Sequence, residues 1–158
     1  MSLELKVHEN SVVKVKKPKN SVWLDPDTLP WLPWTMPGTW FKLISVNQNT
    51  GGFTLILKVD PGTEAPIHGH IGLIESIMLE GEFSYDDDQG RKGHVLIEPP
   101  GAIHQPVTKE GFVLYGTTHG PIVGYNEDGS IAGIVDAQLM YEMARAGNAH
   151  HHIKWAEY

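Results

Sequence analysis

The sequence contains no cysteine. This absence excludes disulfide scaffolds, thiol catalysis, thiolate zinc sites and iron–sulfur clusters, because each of these requires cysteine sulfur. The nine histidines are therefore the main side chains left to bind a transition metal.

Basic residues are scarce as well. Twelve Lys and Arg stand against nineteen Asp and Glu, which gives a formal net charge of −7 and disfavours binding to nucleic-acid phosphates. The sequence has no apolar run long enough to cross a membrane, and its first ten residues, MSLELKVHEN, lack the basic start and apolar stretch of a secretory signal. We therefore expect a cytoplasmic protein that contacts neither nucleic acid nor membrane.

The length of 158 residues predicts one domain. A core of this size is stable without disulfides or a structural metal, so a bound metal would serve chemistry. We predict an N-terminal arm over residues 1–22, a domain over residues 23–146 that includes one helix, and a C-terminal tail over residues 147–158.

Two segments near the N-terminus differ from the rest in composition. Within the arm, β-branched Val12, Val13 and Val15 lie among lysines, a pattern that fits either an exposed arm or a strand given to a neighbouring subunit. Because edge strands of small β-proteins need cover, we expect a homodimer or a higher homo-oligomer. Residues 23–40 hold four of the five tryptophans, and we expect them to form an ordered loop that covers the core.

Glycine and proline punctuate the remaining sequence. The chain has 17 glycines and 11 prolines, and they fall between short apolar runs. This pattern predicts an all-β sandwich or barrel with short strands. The predicted strands span residues 40–46, 53–59, 65–70, 74–80, 82–86, 93–98, 103–107, 111–118, 121–126 and 130–135.

One segment has the period of a helix. Val135, Leu139 and Met143 recur every four residues, Asp136 is a suitable N-cap, and Gly147 can end the helix. We predict a helix over residues 136–146 whose apolar stripe packs against the sheets.

The strongest chemical signal is a pair of histidines in the segment PGTEAPIHGH. His68 and His70 are two residues apart in a predicted strand and therefore point to the same face. His104 follows a turn formed by Pro99, Pro100 and Gly101, and a closed β-fold can bring it to the same place. Three imidazoles suit Zn, Fe, Cu or Ni and leave coordination positions open for a ligand. The sequence therefore predicts a metal site that binds small molecules.

These residues resemble the cupin family. Gly62, His68, His70 and Gly81 match the first cupin motif, and the second motif is matched by Gly93, Pro99, Gly101 and His104. The resemblance implies a single-domain cupin fold, which is a double-stranded β-helix or jelly-roll barrel, here with one short C-terminal helix.

The chain departs from the usual cupin pattern at one ligand. Counting back from Gly81 places Ile74 where most cupins have a ligating Glu, and Glu75 is one position away. Because strand side chains alternate between faces, Glu75 points away from the metal unless a bulge turns it. The remaining pattern of three histidines resembles a small group of cupin dioxygenases that cleave 2,4'-dihydroxyacetophenone and, less closely, those that cleave acetylacetone.

This resemblance implies a function for the site. His68, His70 and His104 would hold Fe(II), although Zn or Ni fits the same ligands, and the substrate would be a small diketone or aromatic hydroxyketone that is cleaved with O2. Glu98 would belong to the surroundings of the metal, where it orients a histidine or moves a proton. The arginine that acetylacetone-cleaving enzymes use is missing, since residues 82–86 read EFSYD.

Two other functions remain open from the sequence. The first is a metal or small-ligand sensor without catalysis, since some cupins are regulatory proteins. The second is a redox-inert isomerase or hydrolase, because a facet of three histidines can also activate water. The run from His150 to His152 is interpreted as an adventitious metal binder, and His119 as a residue that ends a strand near the mouth of the fold.

Overall fold

The computed structural model describes residues 22–85 and 87–157. Its strands are β1 (Leu32–Pro33), β2 (Thr39–Asn47), β3 (Gly52–Val59), β4 (His68–His70), β5 (Ile74–Tyr85), β6 (Asp88–Arg91), β7 (Val95–Glu98), β8 (Ile103–His104), β9 (Phe112–Thr118), β10 (Ile122–Tyr125) and β11 (Ile131–Val135). A single α-helix, α1 (Ala137–Ala146), follows β11 in the described part of the chain.

The strands form two antiparallel sheets. The larger sheet has the strand order β1-β2-β3-β9-β5-β6, and β7 pairs with β5 beside it. The smaller sheet has the order β11-β10-β4-β8. This two-sheet, all-β architecture with a short C-terminal helix confirms the predicted fold class.

Strand β5 differs from the prediction. The sequence predicts two strands here, residues 74–80 and 82–86, with a turn at Gly81, but the structure has one continuous strand. The pairing of this strand changes at Gly81. The residues up to Gly81, which lies opposite Phe112, pair with β9. The residues from Glu82, which lies opposite Arg91, pair with β6. Gly81 has φ of 72°, and a Cβ there would collide with the Gly111 carbonyl oxygen. The glycine therefore permits a close backbone approach and not a chain reversal.

Three segments differ from the prediction in strand length or position. The strand predicted over residues 65–70 is limited to β4, and the one over residues 103–107 to β8, because Pro66 and Pro106 cannot supply ladder N–H groups. The polar hairpin that the sequence indicates over residues 86–93 contains the short strand β6. It pairs with the end of β5 and closes a hairpin.

The core joins apolar residues of the larger sheet to α1. Phe41, Leu43, Phe53 and Met78 are all at most 4% exposed, and Met140 of the helix is fully buried. The helix begins after Asp136, whose side chain accepts a hydrogen bond from the Leu139 N–H, and it ends at Gly147, as predicted.

The buried stripe of the helix differs by one position from the predicted one. Ala137, Met140 and Ala144 are buried, whereas Leu139 and Met143 are half-buried. Residues 147–157 continue across the larger sheet, where Ile153 is buried and the His152 Nε2–H donates to the Leu43 carbonyl oxygen at 2.9 Å.

The tryptophan-rich segment is ordered over its described residues but is not entirely loop. It contains a 3-10 turn at Pro26–Thr28 and the short strand β1, and it runs into β2 at Thr39. Trp34 packs on the core, and its Nε1–H points to the Met140 Sδ at 3.1 Å. The N-terminal arm predicted for residues 1–22 lies outside the described residues except for Val22. Among the described helices, none is long and apolar enough to cross a membrane.

Candidate metal centre

The three predicted ligands meet at the junction of β4 and β8. His68 and His70 project from the same side of β4, and His104 of β8 lies directly opposite His68 in the ladder. Their ligand nitrogens all lie within 4.8 Å of one another. Between the two histidines, Gly69 leaves room on the opposite side of the strand for the Tyr125 ring and the Ile103 side chain.

The hydrogen bonds of His68 and His104 determine which ring nitrogen is free. The His68 Nδ1–H donates to the Pro66 carbonyl oxygen at 2.9 Å, and the His104 Nδ1–H donates to Glu98 Oε1 at 2.9 Å. In neutral rings both Nε2 atoms therefore carry lone pairs. These two atoms are 3.0 Å apart, where two lone pairs repel each other unless a cation lies between them. The donor set therefore fits a divalent metal ion.

His70 completes the donor set from a buried position. Its Nε2 lies 3.0 Å from His104 Nε2, and its Nδ1 is buried without a hydrogen-bond partner among the described residues. Burial, together with the neighbouring His68, lowers the pKa of His70 to about 4. Burial also lowers the pKa of His68. Both rings are therefore neutral near pH 7, which is the form that binds a metal.

Glu98 is the carboxylate of this site. It is 8% exposed, with Oε1 on His104 and Oε2 3.6 Å from His70 Nε2. Burial alone would raise the pKa of Glu98, but the hydrogen bond and charge of His104, supported by His70 and Tyr85, hold this pKa below its ordinary value. Glu98 is therefore ionised beside the metal-binding nitrogens, where the resemblance placed it.

Tyr85 is the residue that the sequence interpretation missed. Its ring stacks on His104, with centroids 4.4 Å apart and planes 16° apart, and its hydroxyl lies beside the Glu98 side chain. Burial and the charge of Glu98 raise the pKa of the Tyr85 hydroxyl, so it remains a donor. The bulge between Met78 and Glu80 shifts the alternation of β5 by one residue and turns Tyr85 inward.

The imidazoles open into a cavity of about 210 Å³ between the two sheets. Among the described residues that line it, most are apolar, none is Lys or Arg, and Glu98 is the sole carboxylate. Ile74 lines the cavity where a typical cupin places its ligating glutamate. The site can therefore accept a small, largely apolar molecule that presents oxygen atoms to a metal.

Glu75 lies outside this cavity, as strand alternation predicts. Its side chain is exposed on the other face of β5, and its Oε2 pairs with His119 Nε2 at 3.0 Å. The two residues form a surface pair, so His119 does not approach the metal-binding histidines.

The remaining described histidines do not join the cluster. His94 is exposed, and its Nδ1 accepts from the Arg91 backbone N–H at 3.3 Å. His151 pairs with the Asn148 side chain, and His152 bonds to the sheet backbone. Among the residues that the structure describes, the cluster of His68, His70 and His104 is the one grouping of three metal-binding side chains found.

Solved structures show the same fold. An RmlC-like cupin from Ralstonia eutropha JMP134 aligns with a TM-score of 0.77 at 19% identity, covering 87% of this chain and 93% of that one. An acetylacetone dioxygenase from Acinetobacter johnsonii aligns with a TM-score of 0.71 at 16% identity, covering 87% and 98%. The complex of Rhodobacter sphaeroides SigE with the anti-sigma ChrR aligns with a TM-score of 0.50 at 21% identity, covering 58% and 50%. At these identities the likeness concerns the fold.

The sequence itself identifies the family. No curated protein matches the chain significantly. Residues 19–123, about two thirds of the sequence, match the ChrR Cupin-like domain, and this range includes both cupin motifs and all three clustered histidines. The chain therefore belongs to the ChrR cupin-like family.

Proposed function

We propose that this protein is an Fe(II)-dependent dioxygenase that cleaves a C–C bond of a small diketone or aromatic hydroxyketone. The observation that carries the proposal is the pairing of a three-imidazole donor set with the buried, ionised Glu98 at the base of an apolar cavity. The structural similarity to an acetylacetone dioxygenase supports this reaction class.

The absence of a ligating carboxylate at Ile74 favours an anionic chelating substrate. Three neutral imidazoles bring no negative charge to a divalent ion, Ile74 adds none, and the charge of Glu98 stays outside the donor set. When bound, Fe(II) supplies Lewis acidity toward two substrate oxygens and the electrons that activate O2. His68, His70 and His104 would hold it, and an enolate or α-hydroxyketone presents the matching pair of oxygens.

We propose that Glu98 moves the substrate proton. Its Oε2 lies near the metal-binding nitrogen of His70, while Oε1 is engaged by His104. We assign Oε2 the role of accepting the proton next to the carbonyl group, and His104 the role of holding the carboxylate in place. Replacing Glu98 by Gln should lower turnover by roughly a hundredfold or more.

The cavity disfavours substrates that carry a carboxylate, because its described lining has no basic side chain. No Lys or Arg among the described lining residues can pair with a carboxylate on the substrate, and burying an unpaired charge is costly. A ketone that enters neutral and loses one proton to Glu98 becomes the chelating anion and needs no cation besides the metal. Its oxidation is balanced by O2 without an external reductant, since both oxygen atoms enter the products. A β-diketone gives a carboxylic acid and a dicarbonyl compound, and an α-hydroxyketone gives two carboxylic acids.

Oxygen consumption tests the proposal. Protein reconstituted anaerobically with Fe(II) is mixed with β-diketones and hydroxyacetophenones, and O2 uptake is recorded. His104→Ala should abolish uptake, and His94→Ala, which removes an exposed histidine, should not. Product formation without O2 would instead establish a redox-inert isomerase or hydrolase. Full activity of His104→Ala would refute the assignment of the site.

The family supports a second candidate, a sensor that binds metal or a small ligand. The family is named for ChrR, which was crystallised as an anti-sigma protein bound to SigE. The net charge of −7 argues against direct DNA binding, so a sensor of this kind needs a protein partner. Pull-down with and without bound metal distinguishes it from the dioxygenase: a sensor shows metal-dependent partner binding and no O2 uptake.

Self-association is also part of the proposal. Ile77 of β5 and Val95 and Ile97 of the adjacent β7 are 39%, 63% and 67% exposed. Covering such a face favours at least a dimer, which light scattering would detect. A monomeric mass would contradict it. A cytoplasmic location remains a prediction from the sequence, testable by cell fractionation.

A further inference from the structure

Tyr85 contacts the candidate metal centre in two ways at once. Its ring covers one face of His104, and its hydroxyl reaches the carboxylate that holds the His104 edge. The three side chains therefore form a closed set, consisting of the stacking contact, the 2.9 Å contact between His104 Nδ1 and Glu98 Oε1, and the Tyr85 hydroxyl beside the carboxylate. Such a set restrains both the plane of the imidazole and the orientation of the carboxylate.

Packing alone does not explain a tyrosine at this position. The ring also makes an edge contact with Phe83, at 5.2 Å between centroids, which phenylalanine would make equally well. A hydroxyl placed against an otherwise apolar lining costs free energy unless it has a partner. The Glu98 carboxylate beside the hydroxyl is the acceptor available to it, and this carboxylate belongs to the candidate centre.

The contacts of Glu98 show what the hydroxyl does. The His104 Nδ1–H engages Oε1, whereas Oε2 lies 3.6 Å from His70 Nε2, too far for a hydrogen bond. A single donor fixes one carboxylate oxygen and leaves the orientation of the other without a second hydrogen bond. A second donor on Tyr85 fixes that orientation, and His104 keeps the tautomer that leaves its Nε2 for the metal.

We propose that Tyr85 is a positioning residue of the metal centre: through Glu98 and the face of His104 it sets metal affinity and the rate of the chemical step. Its relevance to turnover rests on the proposed dioxygenase function, whereas its effect on metal affinity does not. Because Tyr85 acts through two other residues, its removal should change kcat much more than KM.

The test uses Tyr85→Phe, which keeps the ring and removes the hydroxyl, with Tyr115→Phe on the exposed face of β9 as matched control. The first readout is Zn(II) affinity, measured by competition with a chelator. The second is the downfield proton resonance of the His104 Nδ1–H in the Zn(II)-loaded protein, identified by its loss in Glu98→Gln. The third is kcat and KM of the Fe(II) protein.

We expect Tyr85→Phe to weaken Zn(II) binding by about tenfold and to lower kcat by about tenfold to a hundredfold, with KM within about twofold of wild type. The Nδ1–H resonance should move upfield or broaden through faster exchange. Tyr115→Phe should change none of these. Wild-type affinity and an unchanged resonance in Tyr85→Phe would overturn the proposal. If wild-type protein consumes no O2 with any of these substrates, the proposed dioxygenase function is wrong. The Zn(II) affinity and the His104 Nδ1–H resonance still decide the role of Tyr85 in that case.

Discussion

Glu98 lies directly across the strand ladder from Ile74. Ile74 occupies the position where most cupins place a carboxylate ligand, so in this chain the carboxylate stands on the neighbouring strand β7 and reaches the histidines from there. It contacts His104 through Nδ1, on the side of the ring away from the metal-binding nitrogen. The chain thus keeps a negative charge beside the centre while leaving three imidazoles as the donor set.

This cross-strand relationship predicts a coupling between the two positions. Ile74→Glu would place a second carboxylate opposite Glu98 in a buried setting, and like charges at paired positions destabilise a sheet. We expect Ile74→Glu to lower the free energy of unfolding by about 1–3 kcal/mol, measured by urea denaturation of the metal-free protein. The double variant Ile74→Glu/Glu98→Gln should recover part of this loss. Strictly additive effects would contradict the coupling.

Metal binding should stabilise the fold through the three histidines. A ligand that binds only the folded state adds about 2.7 kcal/mol when its concentration is a hundred times Kd. We expect Zn(II) to raise the Tm of the wild-type protein by several degrees and to leave His68→Ala nearly unchanged. His151→Ala controls for adventitious binding by the C-terminal histidines, and the same loss of the Zn(II) effect in that variant would be evidence against the proposed site.

The metal-free protein should lose stability in mild acid. The pKa of His70 is about 4 in the folded protein and 6.5 ordinarily, so between these values the unfolded chain binds a proton that the fold excludes. The free energy of unfolding is therefore highest above pH 6.5 and decreases as the pH falls toward 4. The pKa of Glu98 is also lowered in the folded protein. Below its ordinary value of 4.5 the unfolded chain therefore takes up this proton more readily, and the folded state again loses stability as the pH falls.

The size of the effect follows from the shift in the pKa of His70. We expect a loss of about 2–4 kcal/mol from His70 between about pH 7 and pH 4, seen as a falling urea midpoint. His70→Gln should flatten the profile of stability against pH over this range, whatever its stability at neutral pH. A profile equally steep in wild type and variant would assign the acid sensitivity to other groups.

Gly81 should tolerate no side chain. Its φ of 72° disfavours other residues, and a Cβ would collide with the Gly111 carbonyl oxygen. We expect Gly81→Ala to cost about 2–4 kcal/mol of unfolding free energy. Gly90→Ala on the adjacent strand β6 is the control, because a Cβ at Gly90 would meet no atom within 4 Å and its φ is not positive. Equal stability of the two variants would refute this account of Gly81.

Much of the centre could be predicted from the sequence, because strand alternation and the two cupin motifs each assign a position to individual residues. Alternation places His68 and His70 on one face and turns Glu75 outward, and the structure has both arrangements. The position of Glu98 against His104 agrees with the resemblance. These features depend on local geometry, which the sequence carries directly.

Tyr85 could not be found in this way, for a physical reason. Simple alternation from the buried Ser76 and Met78 would direct Glu82 and Ser84 inward, whereas the bulge after Met78 brings in Phe83 and Tyr85. The bulge forms where β5 is paired with β9, a strand that comes much later in the chain. The same dependence on distant partners explains why Gly81 resembles a turn in the sequence and why the buried stripe of α1 is displaced by one residue.

Strand β8 consists of two residues at the edge of the smaller sheet, and His104 is one of them. Its ladder with β4 is correspondingly short, while His70 and His104 are 34 positions apart in the chain. An ion shared by these imidazoles would close this long loop as a cross-link does, removing conformational entropy from the unfolded chain. Occupancy of the centre and docking of the edge strand would then be a single cooperative event, so that exchange of the β8 amide hydrogens would report how much of the protein carries its metal.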